Sequence, residues 1–142
     1  MNIEMSEHIK NRLKIEIQKA YYSFQRYKVD TTFAILYHEK PIDVTELGKI
    51  VRISDHLLKI DEHHYFINFV HTNHNRAFKA AQNLLHALDL KFNDTTSCIA
   101  IDTFDTTQSP TIVLNRLQEI LKTIQRTSYS RIDDENILNE IV

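Results

Sequence analysis

The sequence predicts an α+β sandwich of the ferredoxin-like kind: a four-stranded antiparallel sheet with helices on one face, preceded by a long N-terminal helix. Three observations lead there. Apolar periodicity switches in the order helix, strand, helix, strand, strand, helix, strand, helix. The apolar runs HLLKI and YFINFV are separated only by the polar knot DEHH, which is too short for anything but a hairpin connection. A chain of 142 residues, 42% apolar and 25% charged, has the size and make-up of one globular domain.

The elements follow in order. Residues 6–28 read as the N-terminal helix, because Leu13, Ile17, Ala20, Phe24 and Tyr27 recur at steps of four and three. Ser6 suits its N-cap. TFAILY, from Thr32 to Tyr37, is rich in β-formers and reads as a buried strand. After Pro41, DVTELGKIVR reads as a short helix with Val44, Leu47, Ile50 and Val51 on one side. The hairpin places Ile60 and Tyr65 on adjacent strands. Asn75 to Leu88 reads as a helix with Ala77, Ala81, Leu84, Leu85 and Leu88 inward and Asn73 or Asn75 as cap. SCIAIDTF is a strand, and SPTIVLNRLQEILKTIQR is a helix capped by Ser109 with Pro110 in its first turn. Ile112, Leu117, Leu121 and Ile124 suit its buried face. The tail from Ser128 is polar, then weakly helical. There is no internal repeat or linker. The expected organisation is one domain over residues 1–142: the helix at 6–28, a core at 31–127 and a tail at 128–142.

Composition excludes several functions. A net charge of −2 gives no footprint for duplex nucleic acid. Gly48 is the only glycine, so neither a P-loop nor a dinucleotide-binding fingerprint exists here. Cys98 is the only cysteine; it lies in the apolar run SCIAI and reads as a buried strand thiol without an activating motif. No apolar run suits a membrane crossing, and MNIEMSEHIKNR lacks the core of a secretion signal, so the expected location is the cytoplasm.

The hairpin knot carries two carboxylates and two imidazoles. Zinc needs three or four converging ligands, but adjacent strand residues such as His63 and His64 face opposite ways. His71-x-x-His74 can meet at a helix start and still supplies only two ligands. No metal and no cofactor is therefore expected. Tyr21, Tyr22, Phe24 and Tyr27 read as helix packing rather than as a stacking platform for nucleic acid. Tyr21 and Tyr22 give the first helix more apolar surface than one packing face needs, which points to a homodimer.

Several stretches resemble the GGDEF domain of bacterial diguanylate cyclases. NRLKIEIQKAYYSFQRYKVDTTFAIL resembles the family's opening, with the Asn11-Arg12 pair, a helix ending in basic residues and then the first strand. Arg52-Ile53-Ser54-Asp55, five further residues and then Asp61-Glu62-His63-His64-Tyr65 resemble the family's R-x-x-D segment and its signature hairpin. SCIAI stands where the family has a Ser-x-Gly strand. The resemblance covers about Asn11 to Arg126 and implies the nucleotide-cyclase type of sandwich.

It also implies what is lost. DEHHY replaces GGDEF, so the glycines against which the nucleotide lies and the charge-organising acidic pair are both missing. The first strand ends Leu36-Tyr37-His38-Glu39 where the family holds magnesium with an aspartate. A two-residue slip would put Asp61-Glu62 on the acidic pair, but it places Lys59-Ile60 on the glycines and spoils the R-x-x-D spacing. The resemblance therefore implies a catalytically inactive, shortened GGDEF-like regulatory module and not an enzyme. Its implied ligand is cyclic di-GMP, held by Arg52 and Asp55 with Lys79 and Asn83 on the following helix. Arg52 and Asp55 are expected to point outward together. The alternative is a protein–protein interaction or dimerisation module with no nucleotide ligand, in which Arg52 and Asp55 are a solvated surface pair.

Overall fold

The computed structural model describes residues 3–52, 54–127 and 130–140. In chain order the elements are α1 (Glu7–Tyr27), β1 (Thr31–Tyr37), α2 (Val44–Ile50), β2 (His56–Asp61), β3 (His64–Val70), α3 (His74–Phe92), β4 (Cys98–Asp102), α4 (Pro110–Thr127), β5 (Ile132–Asp133) and α5 (Ile137–Glu140). The predicted order of the first eight is present. Of the tail, Ser128, Tyr129, Ile141 and Val142 lie outside the described residues, as does Ile53 of the R-x-x-D segment.

The caps fall where the polar residues stand. Ser6 Oγ accepts from the Ile9 N–H, Asp43 from Thr45, Asn73 from Arg76 and Ser109 Oγ from Ile112. Asn73, not Asn75, therefore caps α3, which begins at His74 and runs on to Phe92. Two apolar residues assigned inward face water instead: Tyr27 is 69% exposed and Ile112 is 48% exposed. Tyr27 lies in the last residue of α1, and Ile112 in the first turn of α4, where the buried stripe begins with Val113 and Leu114.

The sheet order is β2-β3-β1-β4-β5. Each of the four predicted strands is antiparallel to its neighbours among them. Two expectations need correction. The sheet has five strands and is mixed, because β5 pairs parallel with β4. The Ile99 N–H donates to the Arg131 carbonyl at 2.8 Å, and the Arg131 guanidinium grips both oxygens of Asp89 at 2.7 and 2.9 Å and donates to the Ser97 carbonyl at 2.9 Å. A polar anchor thus draws two tail residues into the sheet.

Second, the helices lie on both faces. Leu13 and Ile17 of α1 and Leu117 and Leu121 of α4 pack with Phe33, Ile35 and Phe66. Leu47 of α2 and Ala81 and Leu88 of α3 pack on the other side with Ala34, Leu36 and Ile67. The reason is in β1 and β3, where six of seven residues are buried without alternation. Strands apolar on both sides need cover on both sides.

Asp102, at the end of β4 and 1% exposed, meets Arg116 of α4 through two contacts of 2.7 Å. This bidentate pair fixes α4 on the sheet.

With a single glycine in the chain, non-glycine residues take the left-handed positions: Lys28 (φ 55) ends α1, Asn93 (φ 52) ends α3 and His71 (φ 56) follows β3. A lysine there is strained by about 1 kcal/mol, an asparagine by less. Lys28→Gly is expected to raise the free energy of urea unfolding by about 1 kcal/mol, and Asn93→Gly by a smaller amount. A loss of stability in Lys28→Gly would contradict the assignment.

Candidate functional site

The β2–β3 hairpin turns at Glu62 and His63, with Lys59 opposite Tyr65 and Asp61 opposite His64. Ile60 is bulged between them, so Ile60 and Tyr65 do lie on adjacent strands. No glycine makes this turn. Asp61 does so by accepting from the N–H of His63, two residues on, at 2.8 Å. The same carboxylate accepts from His64 Nδ1 at 2.7 Å and from the Glu4 N–H at 2.9 Å. Burial pushes the Asp61 carboxyl up, but the Glu4 and His63 amides and His64 outweigh it and hold it below the usual range.

The rest of the DEHHY segment is also engaged. Glu62 is exposed and pairs with Lys59 at 2.9 Å. His63 Nδ1 lies 3.2 Å from the His38 carbonyl, and its own carbonyl accepts from the His38 N–H at 3.0 Å. His64 is fully buried beneath Tyr37, with ring centroids 5.3 Å apart. The Tyr65 hydroxyl donates to the Ile42 carbonyl at 2.7 Å and accepts from its N–H at 2.8 Å, pinning the β1–α2 connection.

His38 stands just beyond β1 and is fully buried. Its Nδ1 meets Ser97 Oγ, its ring packs on Phe92 at 4.5 Å, and its Nε2 lies 3.7 Å from Asp94. Asp94 pairs in turn with Lys40 at 3.3 Å. Burial pushes both His38 and His64 below the ordinary imidazole range, against the pull of Asp94 and Asp61 respectively.

A magnesium ion does not suit this turn. It demands free oxygen ligands in near-octahedral array. Here Asp61 already takes three donors, Glu62 is paired in solvent, and a buried imidazole follows the first strand. Among the described residues no three His, Cys, Asp or Glu side chains are grouped to hold a metal. His74 Nε2 bonds to Asp134 at 2.8 Å. Cys98 is buried, and burial pushes its thiol up to about 12.

Arg52 and Asp55 sit between α2 and β2. Arg52 Nε and Nη2 bond to the two Asp55 oxygens at 3.1 and 2.8 Å. Nη2 also donates to the Val70 carbonyl at 3.0 Å and to Thr72 Oγ1. The Asp55 carboxylate is 1% exposed, whereas the Arg52 side chain is 51% exposed. The two therefore do not both face outward: Asp55 is spent on orienting Arg52, and Arg52 ties the loop to the end of β3. Arg52 Nη1 has no hydrogen-bond partner among the described residues. Lys79 and Asn83 are exposed on α3, one turn apart, and hydrogen-bond neither to Arg52 nor to Asp55.

Sequence reasoning missed the His38–Ser97 contact and the anchoring of Asp61 by the N-terminal segment. His38 carried a signal, a histidine directly after an apolar strand, but its partner lies 59 residues away.

The buried imidazoles contribute to the acid limb of stability. Their folded pKa values lie below the unfolded value of about 6.5, so the unfolded chain binds the extra protons. Their contribution should be full above the unfolded value of about 6.5 and be lost progressively as pH falls below it. Denaturant titrations at several pH values should show this slope, and His38→Gln and His64→Gln should each flatten it. An unchanged slope in both variants would refute the assignment.

No protein-family model matches this chain, and no curated protein matches it in sequence. Among solved structures it is similar to the GGDEF domain of DgcB from Caulobacter crescentus in complex with c-di-GMP, with a TM-score of 0.70 over 89% of this chain and 90% of that one, at 11% sequence identity. This chain has the fold of a GGDEF domain, a fold of the nucleotide-cyclase type.

Proposed function

We propose that residues 1–142 act as one unit, a catalytically inactive GGDEF-like regulatory module of the cytoplasm that binds cyclic di-GMP at Arg52. The observation that carries the loss of catalysis is the Asp61 carboxylate, tied to two backbone amides and a buried imidazole. Phosphoryl transfer is mostly positioning plus metal-ion neutralisation of charge. A turn whose one inward carboxylate is consumed by the fold provides neither.

Two things support the ligand. The similar domain from Caulobacter crescentus was crystallised with c-di-GMP. Arg52 is held by Asp55 with half its side chain exposed and its Nη1 without a hydrogen-bond partner among the described residues. A pre-oriented guanidinium suits a guanine edge or a phosphate. In this reading Arg52 contacts the ligand and Asp55 is a positioning residue. The Lys79 ammonium attracts phosphate, and the Asn83 amide hydrogen-bonds a base.

Calorimetry with cyclic di-GMP tests the reading, and incubation with GTP and magnesium or manganese should yield no product. Arg52→Ala is expected to weaken binding by roughly one to two orders of magnitude. Asp55→Asn should weaken it by about tenfold through a loosened Arg52, with thermal unfolding confirming the fold. Lys79→Ala should act mainly at low salt. Turnover of GTP that disappears in Asp61→Ala would overturn the inactive assignment, and absence of heat with wild type would reduce Arg52 to a structural clasp.

A second reading rests on α1. Ile15 and Tyr22, seven residues apart on its outer side, are 50% and 55% exposed, and Tyr27 at its end is 69% exposed. It makes α1 the surface for a second copy or a signalling partner. Light scattering separates the two, since a monomer at high concentration removes the homodimer.

A further inference from the structure

β3 carries a buried polar residue, Asn68, besides His64 near its start. Asn68 is 3% exposed and pairs in register with Phe33 of β1. Its protein partner among the described residues is Thr31 Oγ1, which also lies 3.1 Å from the Phe69 carbonyl. A hydroxyl has one proton to donate. If Phe69 receives it, the Asn68 NH₂ donates to Thr31 and the amide oxygen is left over. If Asn68 receives it, the NH₂ is left over. In both cases one end of the amide lacks a protein partner among the described residues, and that end is open to the cleft rather than sealed, so water or a ligand can meet it.

Asn68 lines a cleft of about 250 Å³ between α1 and the β2–β3 edge of the sheet. Ala20, Val29 and Val70 give it apolar walls. Two charged groups of α1 stand beside it. Glu16 is engaged by His56 Nδ1, whereas Lys19 has no carboxylate partner among the described residues. His71, whose left-handed backbone breaks the chain away from β3, also lines it. Strained non-glycine residues of this kind collect at ligand sites.

We propose that this cleft binds a small planar anion: one heteroaromatic ring whose acceptor nitrogen meets the Asn68 NH₂, the end left over when Thr31 Oγ1 donates to Asn68 Oδ1, and whose carboxylate meets Lys19. The ring follows from the apolar walls and from a volume just under the ~300–1,000 Å³ of drug-sized pockets. The charge follows from Lys19, the cation left over once Glu16 is engaged. A dinucleotide is too large for the cleft, so the proposal stands apart from the Arg52 reading and neither depends on the other.

Amide-correlation NMR of the full chain tests it with three probes. Nicotinate has both the ring acceptor and the carboxylate, nicotinamide lacks the charge, and benzoate lacks the ring nitrogen. Nicotinate is expected to shift Lys19, Val70 and the Asn68 side-chain amide saturably at millimolar concentration, and the other two to bind roughly fivefold more weakly or worse. Lys19→Ala should weaken nicotinate roughly fivefold. Asn68→Leu should abolish the shifts. Ser23→Trp, which fills the cleft from α1 without touching the buried amide, should do the same and keeps the test decisive if Asn68→Leu folds poorly. Shifts that fail to saturate by concentrations on the order of 10 mM, that map elsewhere, or that survive Ser23→Trp overturn the proposal.

Discussion

β1 is hydrogen-bonded along both edges and buried on both faces, and the rest of the molecule is placed by that constraint. A buried strand must have every amide and carbonyl paired, and β3 and β4 supply the partners. Its side chains leave no solvent face, so one helix pair is required above and one below. Its two ends then become the polar regions of the fold. At the start, Thr31 and Thr32 are tied to β3 and to the Thr72 carbonyl. At the finish, His38 is delivered beneath the hairpin turn. Both the hairpin knot and the amide cleft are consequences of where a two-sided apolar strand stops.

The hairpin shows how a side chain can replace a glycine. A tight turn needs either a residue free to adopt unusual backbone angles or a local acceptor that closes it. Asp61 is the acceptor, and closing the turn uses its carboxylate. The same group then recruits the N-terminal segment through Glu4 and orients His64. In this chain one carboxylate therefore closes the turn, ties down the N-terminal segment and orients a buried imidazole at once.

The helices were legible because caps and periodicity are local. Ser6, Asp43, Asn73 and Ser109 each bond within their own first turn. Cover on both faces was legible in principle from the unalternated runs TFAILY and YFINFV, yet the hairpin order alone led to a one-sided sandwich. β5 was not legible: two residues in a polar tail carry no strand signal, and their pairing depends on Arg131 reaching Asp89 across 42 positions. At Arg52 and Asp55 the spacing was visible and the orientation was not. The guanidinium's further partners, Val70 and Thr72, lie 18 and 20 residues on, and the Asp55 carboxylate is buried against it. Asp102 with Arg116 was hidden for the same reason.

The sheet's margins bear on how copies of this chain behave when crowded. An unpaired strand edge is a template for fibre growth unless something blunts it. β2 is interrupted by the bulge beyond Lys59, which twists that margin and sets a charge on it. On the far side β4 is covered by β5, so the outermost rung is only two residues long. The Arg131 clasp that recruits it is therefore also a guard. Loosening Arg131 from Asp89 would uncover the flat, wholly buried segment Cys98–Asp102, the kind of short apolar strand from which aggregates propagate.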